Sequence, residues 1–312
     1  MTAAPVAILG TGMMGPRIGV SLTLAGHAVV LWGRSSESLE RGTSAFEDAL
    51  AMLQRGGLVS DGAAARARLS TTTNLAQAVT NAAFVFESVA EDLELKKQLF
   101  EEVERHSSPD AIFASNTSGL PITAIAQGLQ RPERAATAHF WNPPHLMPLV
   151  EVVKGERTSN DTVERLRAVL SNAGKRVVVV RKDVPGQLGN RLQHALFREA
   201  FHLLEEGVAS VEDIDAAIKF GPGLRFPAYG LLEHADMVGL DMMVAIESYL
   251  FAALSASKEA PKTLRDLISE GALGVKSGRG LYDWTSQRCA ADVLEARDNF
   301  VLQRIKEMGS AS

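Results

Sequence analysis

The chain has 312 residues, 46% apolar and 22% charged, which excludes wholesale disorder and predicts two folded cores. Its 32 basic and 37 acidic residues leave a net charge of −5 with no basic cluster, so nothing supports a nucleic-acid or anionic-membrane partner. One cysteine, Cys289, excludes an internal disulfide and a thiolate metal cluster, no apolar run approaches a membrane span, and the start leaves no room for a signal peptide, so an intracellular, cytoplasmic protein is expected.

The first apolar run is Val6 to Leu9, read as a strand. Gly10-Thr11-Gly12-Met13-Met14-Gly15 follows it directly and opens a helix. This is GxGxxG in its required strand–turn–helix setting. Gly10 makes the tight turn, Gly12 lets backbone approach a pyrophosphate, and Gly15 lets helix and strand pack closely. Met13 and Met14 lie within the same loop, and the helix N-terminus offers free N–H groups to phosphates. The expected cofactor is NAD(P). The next run, Ala28 to Trp32, ends where an acid should bond the adenine ribose. Gly33 stands there instead, followed by Arg34 and Ser35. An arginine pairs with a 2′-phosphate that an acid would repel, so NADP(H) is favoured over NAD(H).

Residues 38–68 read as two helices joined near Gly56-Gly57, inserted before the third strand. Runs at Ala83–Phe86 and Ala111–Ala114 flank a helix over Leu93–His106, and Leu149–Val153 and Arg176–Val180 look like later strands. Continuous apolar runs suit strands covered on both faces, so the spacing predicts a Rossmann-type, doubly wound parallel sheet. Beyond Asp183-Val184-Pro185-Gly186 the pattern is helical, beginning with one long helix over Val184–Gly207. Residues 1–183 are read as a dinucleotide-binding domain and 184–312 as an all-helical second domain.

Four further motifs carry chemistry. Ala114-Ser115-Asn116-Thr117-Ser118 follows a strand end. His139-Phe140-Trp141-Asn142-Pro143-Pro144 comes next, with Glu151 twelve residues past His139. Asp183 to Arg191 closes the first domain, and Lys276-Ser277-Gly278-Arg279-Gly280-Leu281-Tyr282 lies near the end. With these motifs in this order, the sequence resembles the 3-hydroxyacyl-CoA dehydrogenase family over essentially its whole length. The resemblance implies catalytic roles for Ser118, His139, its orienting acid Glu151, and the substrate-side Asn190. It implies cofactor contacts at Glu91, Lys96 and Asn116, and a homodimer formed through the helical domain. Elementary chemistry agrees. A secondary alcohol gives up hydride only when its hydroxyl proton is removed, and a histidine is suited to take that proton near neutral pH. A carboxylate at the second ring nitrogen fixes the tautomer. Ser118 and Asn190 can hydrogen-bond the developing carbonyl oxygen. The other histidines read as structural, and none clusters with acids at metal-ligand spacing, so no metal is expected.

The substrate is read from departures. Family members that act on CoA esters commonly carry a lysine where this chain has Pro148. The stretch from Asn142 to Glu151 resembles branches acting on small free hydroxy acids, such as L-gulonate, carnitine and pyridine-carboxylate dehydrogenases. Gly221-Pro222-Gly223-Leu224-Arg225-Phe226 resembles a motif of the same branches, and Arg225 offers a fork suited to a carboxylate. Trp141 and Asn142 are read as substrate contacts, with Phe226 and Tyr229 completing an apolar wall. A 3-hydroxyacyl-CoA substrate is the alternative, with Arg55, Arg66 and Arg68 facing its phosphates. A non-catalytic, crystallin-like cofactor-binding role is the remote one, and the intact Ser118, His139, Glu151 and Asn190 set argues against it.

Overall fold

The computed structural model describes residues 4–286 and 288–310. They form two compact units, one of residues 4–190 with 295–310, the other of residues 191–294.

The first unit is built on eight strands among the described residues. They are β1 (Val6–Leu9), β2 (Val29–Trp32), β3 (Leu69–Thr72), β4 (Phe84–Glu87), β5 (Ile112–Ser115), β6 (Ala135–Phe140), β7 (Leu149–Val153) and β8 (Arg176–Val180). Their order is β3-β2-β1-β4-β5-β6-β7-β8. Neighbours run parallel, as a Rossmann-type sheet requires, except that β6 and β7 are antiparallel. The order turns back between β1 and β4, which opens a crevice at the carboxyl ends of those strands. β1, β4 and β5 are buried along their whole length, because helices cover both faces. Ile8, Ile18, Phe86 and Phe140 fill the core on one face. Leu9, Val85, Phe100 and Phe113 fill the other.

Helices α1 (Gly15–Leu24), α2 (Ser36–Arg55), α3 (Ala63–Ala67), α4 (Leu75–Val79), α5 (Leu93–His106), α6 (Ile122–Ile125) and α7 (Asn160–Asn172) join these strands. The insertion is helical as read, with its break at Gly56 and Gly57, the latter at φ 69°. Its buried residues Phe46, Leu50 and Leu53 pack with Leu302 from the C-terminal end of the chain. Strand β3 extends the sheet past β2 at a stretch of mixed polarity that periodicity did not mark.

One expected boundary moves. The helix read from Val184 begins instead at Gly189 and runs to Glu205 as α8. Gly186 and Gln187 stand at φ 75° and 54°, in the left-handed region where a right-handed helix cannot start. The second unit continues through α9 (Val211–Phe220), α10 (Pro222–Arg225), α11 (Leu231–Val238), α12 (Leu240–Leu250), α13 (Lys262–Ser269) and the start of α14 (Ala290–Ser310). Among its described residues only Ala272 is buried. Phe220, Leu232 and Met237 are 79%, 86% and 74% exposed. No helix among the described residues is long and apolar enough to cross a membrane.

Candidate active site

The glycine loop leaves β1 and enters α1. A Cβ on Gly10, at φ 121°, would meet the Ser88 carbonyl oxygen at 2.4 Å, and one on Gly15 would meet the Gly10 carbonyl oxygen at 2.1 Å. Both positions therefore require glycine, the first for its turn and the second for its packing. Gly12 differs, since a Cβ there would meet nothing within 4 Å. The space over it is open to an incoming group. The N-terminus of α1 carries no side-chain cap and no acid in its first turn, so its N–H groups remain for an anion. Met14 is the N-cap residue, and Met13 lies exposed at the loop tip. These residues fit the pyrophosphate of a dinucleotide.

At the end of β2, Gly33 is buried, and a Cβ there would meet Ser38 Oγ at 2.7 Å and Thr11 Cγ2 at 2.8 Å. A larger residue here would require those side chains to shift. Ser35 caps α2 through a reciprocal pair with Ser38, its hydroxyl accepting from the Ser38 N–H at 3.3 Å. Arg34 is exposed and takes part in no ion pair among the described residues.

The ends of β4 and β5 hold a buried polar knot. Lys96, 1% exposed, donates to Glu87 Oε1 at 2.6 Å, and the fully buried Glu87 also accepts from Ser115 Oγ at 2.6 Å and Val89 N at 2.7 Å. Lys96 lies 3.4 Å from Glu91 as well. Glu91 accepts from Thr117 Oγ1 at 2.5 Å and Ser118 N at 3.0 Å. Burial pushes its carboxyl up, but these bonds and the Lys96 charge outweigh that and hold it below its ordinary value. Asn116 accepts from Phe140 N at 2.9 Å and donates to Ser88 Oγ at 3.3 Å, tying β5 to β6.

His139 and Glu151 face each other across the antiparallel β6–β7 pair, as cross-strand register partners. That register turns a spacing of twelve residues into contact. His139 Nδ1 lies 2.8 Å from Glu151 Oε2, and both side chains are buried. The carboxylate only accepts, so the imidazole donates from Nδ1. Its Nε2 takes no hydrogen bond among the described residues. Glu151 Oε2 also accepts from Trp141 Nε1 at 3.1 Å, and Oε1 accepts from the Leu188 and Gly189 N–H groups at 3.0 and 2.8 Å. Burial would raise this carboxyl, and the bonds from His139, Gly189 and Trp141 more than offset it, so it stays below its ordinary value. A Cβ on Gly189 would meet Trp141 Cζ2 at 2.5 Å, so the indole needs a glycine beneath it.

Ser118 is exposed, and its carbonyl accepts from Asn190 Nδ2 at 3.2 Å. Glu151 thus joins His139 and Trp141, and the Leu188–Asn190 stretch links Glu151 to Ser118. Asn142 is exposed beyond them. Arg225 lies exposed on α10 in the second unit. Of the insertion's arginines, Arg66 pairs with Glu47 at 2.5 Å and Arg68 reaches the Thr23 carbonyl at 3.4 Å. Sequence reasoning missed Glu87, an acid closing an apolar strand, and the backbone N–H groups of Leu188 and Gly189, which carry no side-chain signal.

Residues 5–184 match the NAD binding domain of 3-hydroxyacyl-CoA dehydrogenase, and residues 186–284 match its C-terminal domain. The chain is 34% identical over 303 residues to 5-formyl-3-hydroxy-2-methylpyridine 4-carboxylate 5-dehydrogenase from Mesorhizobium japonicum, covering 97% of this chain and 98% of that protein. It is 36% identical over 290 residues to L-carnitine dehydrogenase from Streptomyces coelicolor, covering 91% of each. A crystal structure of a 5-formyl-3-hydroxy-2-methylpyridine 4-carboxylic acid 5-dehydrogenase, described as an NAD+ dependent dismutase, superposes with a TM-score of 0.89 at 33% identity, covering 99% of this chain and 98% of that one.

Proposed function

The chain belongs to the 3-hydroxyacyl-CoA dehydrogenase family, and on that premise we propose that it oxidises the 3-hydroxyl of a small hydroxy acid, or reduces the 3-keto form, with His139 as general acid/base. At the coarser level it is a nicotinamide-dependent dehydrogenase acting on a CH–OH group. The buried His139–Glu151 contact of 2.8 Å carries the reading. Glu151 holds Nδ1–H and leaves Nε2 to accept the hydroxyl proton, and its negative charge stabilises the imidazolium that results. Ser118 and Asn190 hold the oxygen as it becomes a carbonyl. A nicotinamide bound there would supply the hydride chemistry, as acceptor or donor. Gly12 and the α1 N-terminus would hold its pyrophosphate, and Glu91, Lys96 and Asn116, near the ends of β4 and β5, would contact its ribose. Replacing His139 with Gln should cost about 10²–10⁴-fold in kcat while leaving the NADH Kd unchanged. Turnover near that of the unsubstituted enzyme would sink the assignment.

At the adenine end, the closed packing at Gly33 and the exposed Arg34 support NADP(H) over NAD(H). Tighter binding of NADH than of NADPH by fluorescence would reverse that choice. For the substrate, likeness to the pyridine-carboxylate and carnitine enzymes supports a free acid, with Arg225 as carboxylate partner. The engagement of Arg66 by Glu47 weighs against a CoA phosphate there. Reduction of acetoacetyl-CoA, run beside a panel of hydroxy acids, separates the two. The second unit's apolar surface supports a homodimer, since a body with one buried residue among its described residues needs a partner to cover Phe220, Leu232 and Met237. Sedimentation at the mass of a single chain would overturn this.

A further inference from the structure

We infer that Gln187 is a positioning residue of the candidate active site, its left-handed backbone and clamped side-chain amide fixing the turn that seats Glu151. Gln187 is the one non-glycine residue with positive φ among the described residues, at 54°. Its side chain is 4% exposed. Nε2 donates to the Thr117 carbonyl at 2.9 Å, while Oε1 is buried with no hydrogen-bond partner among the described residues. A left-handed backbone is unfavourable for a glutamine, and a buried acceptor without a partner is costly as well. The fold keeps both penalties at one residue beside a candidate site, which is where stored strain is expected to have a use.

The use is visible in four consecutive residues. The side-chain amides of Gln187 and Asn190 reach the successive carbonyls of Thr117 and Ser118. Between them, the N–H groups of Leu188 and Gly189 converge on Glu151 Oε1. The positive φ at Gln187 aims those two N–H groups, and the Thr117 latch keeps them aimed. The same latch holds the segment that carries Ser118 against the turn that carries Asn190. Gln187 therefore acts on His139 through Glu151, and on the Ser118–Asn190 pair through Thr117, without touching the reacting atoms.

Catalytic meaning comes to this turn through the His139–Glu151 reading above, but its geometry can be tested without turnover. Amide hydrogen exchange of the full chain, read by NMR on Gln187→Met and Gln187→Gly, should show Leu188 and Gly189 exchanging at least about tenfold faster. Exchange in β1 and β4 should not change, which shows the sheet intact. Gln187→Gly relieves the positive φ and guards against a variant that fails to fold. With a substrate in hand, kcat should fall in both variants with cofactor KM unchanged. Exchange at Leu188 and Gly189 within about twofold of the unsubstituted protein, in a folded variant, overturns the assignment. Glu151→Ala, which removes the acceptor, is the control: if it leaves exchange at the two amides unchanged, the Glu151 seat itself is wrong. Loss of turnover in His139→Gln stands or falls apart from both.

Discussion

Replacing Glu151 with Gln changes one atom type and tests the acid–histidine pair directly. The carboxylate accepts four hydrogen bonds, from His139, Trp141, Leu188 and Gly189, and none reaches solvent. An amide can present oxygen to only one pair of donors. If its oxygen faces Leu188 and Gly189, its NH2 faces His139 and Trp141. Trp141 Nε1–H is then unpaired, and His139 must turn its tautomer over to accept at Nδ1. If the amide flips, both backbone N–H groups are orphaned instead. Each buried orphan costs about 1–3 kcal/mol, so the first orientation wins by roughly one such group, about tenfold to a hundredfold. The winning state carries its proton on Nε2, where the substrate hydroxyl needs an acceptor. General-base catalysis is then lost, about 10²–10⁴-fold in kcat. The glycine loop is untouched, so the NADH Kd, read by fluorescence quenching, should hold. A kcat within about threefold of the unsubstituted enzyme, with binding unchanged, would refute the pairing.

Lys96→Met should destabilise the protein by about 3–5 kcal/mol in urea titrations, because it strands Glu87 as a buried, unpaired charge, and adding Glu87→Gln should recover most of that; a loss below about 1 kcal/mol would contradict it. Gly189→Ala should cost about tenfold in kcat or more with NADH binding unchanged, since its Cβ would stand 2.5 Å from Trp141 and drive the indole off Glu151. His145 predicts acid sensitivity: burial, then Arg17 and Lys175, push its imidazole down to about 4, so the unfolded chain binds a proton between pH 6.5 and 4 that the folded chain refuses. Stability should fall as pH drops through that window, by at most about 3 kcal/mol from this residue, and His145→Met should flatten the urea midpoints there.

The parts of the fold that were legible are those with one-residue logic. Val6–Leu9, Phe84–Glu87 and Ile112–Ser115 announce themselves as runs buried on both faces, and the glycine loop announces its turn. β6 did not, because Ala135, Ala136 and Thr137 are small or polar and carry little strand signal, although every residue of β6 is buried. β3 hid for a related reason, as Ser70, Thr71 and Thr72 lie at the sheet edge where burial does not mark them. Pro185 suggested a helix start, and positive φ at the next two residues cancelled it. Glu87 and Lys96 are nine apart in sequence and meet only because β4 feeds α5, so neither residue type signals the pair alone.

The reversal of β7 explains where the candidate acid/base pair sits. In the parallel part of the sheet, each strand delivers its carboxyl end to the crevice, as Glu87, Ser115 and the glycine loop do. Parallel neighbours are reached through long crossovers, so a histidine on one strand and an acid on the next would lie far apart in sequence. Antiparallel pairing of β6 and β7 needs only the connection from Trp141 to Pro148, and it sets His139 opposite Glu151 as one cross-strand pair. A slip of one residue would turn Glu151 to the opposite face from His139 and bring Val150 or Val152 across from it, so the register itself makes the contact. The charge is then sealed from above by Trp141 and from the far side by the Leu188 and Gly189 N–H groups, which lets a carboxylate stay ionised where no water reaches it. The one antiparallel step among the described strands of the sheet thus falls where His139 and Glu151 make their buried hydrogen bond.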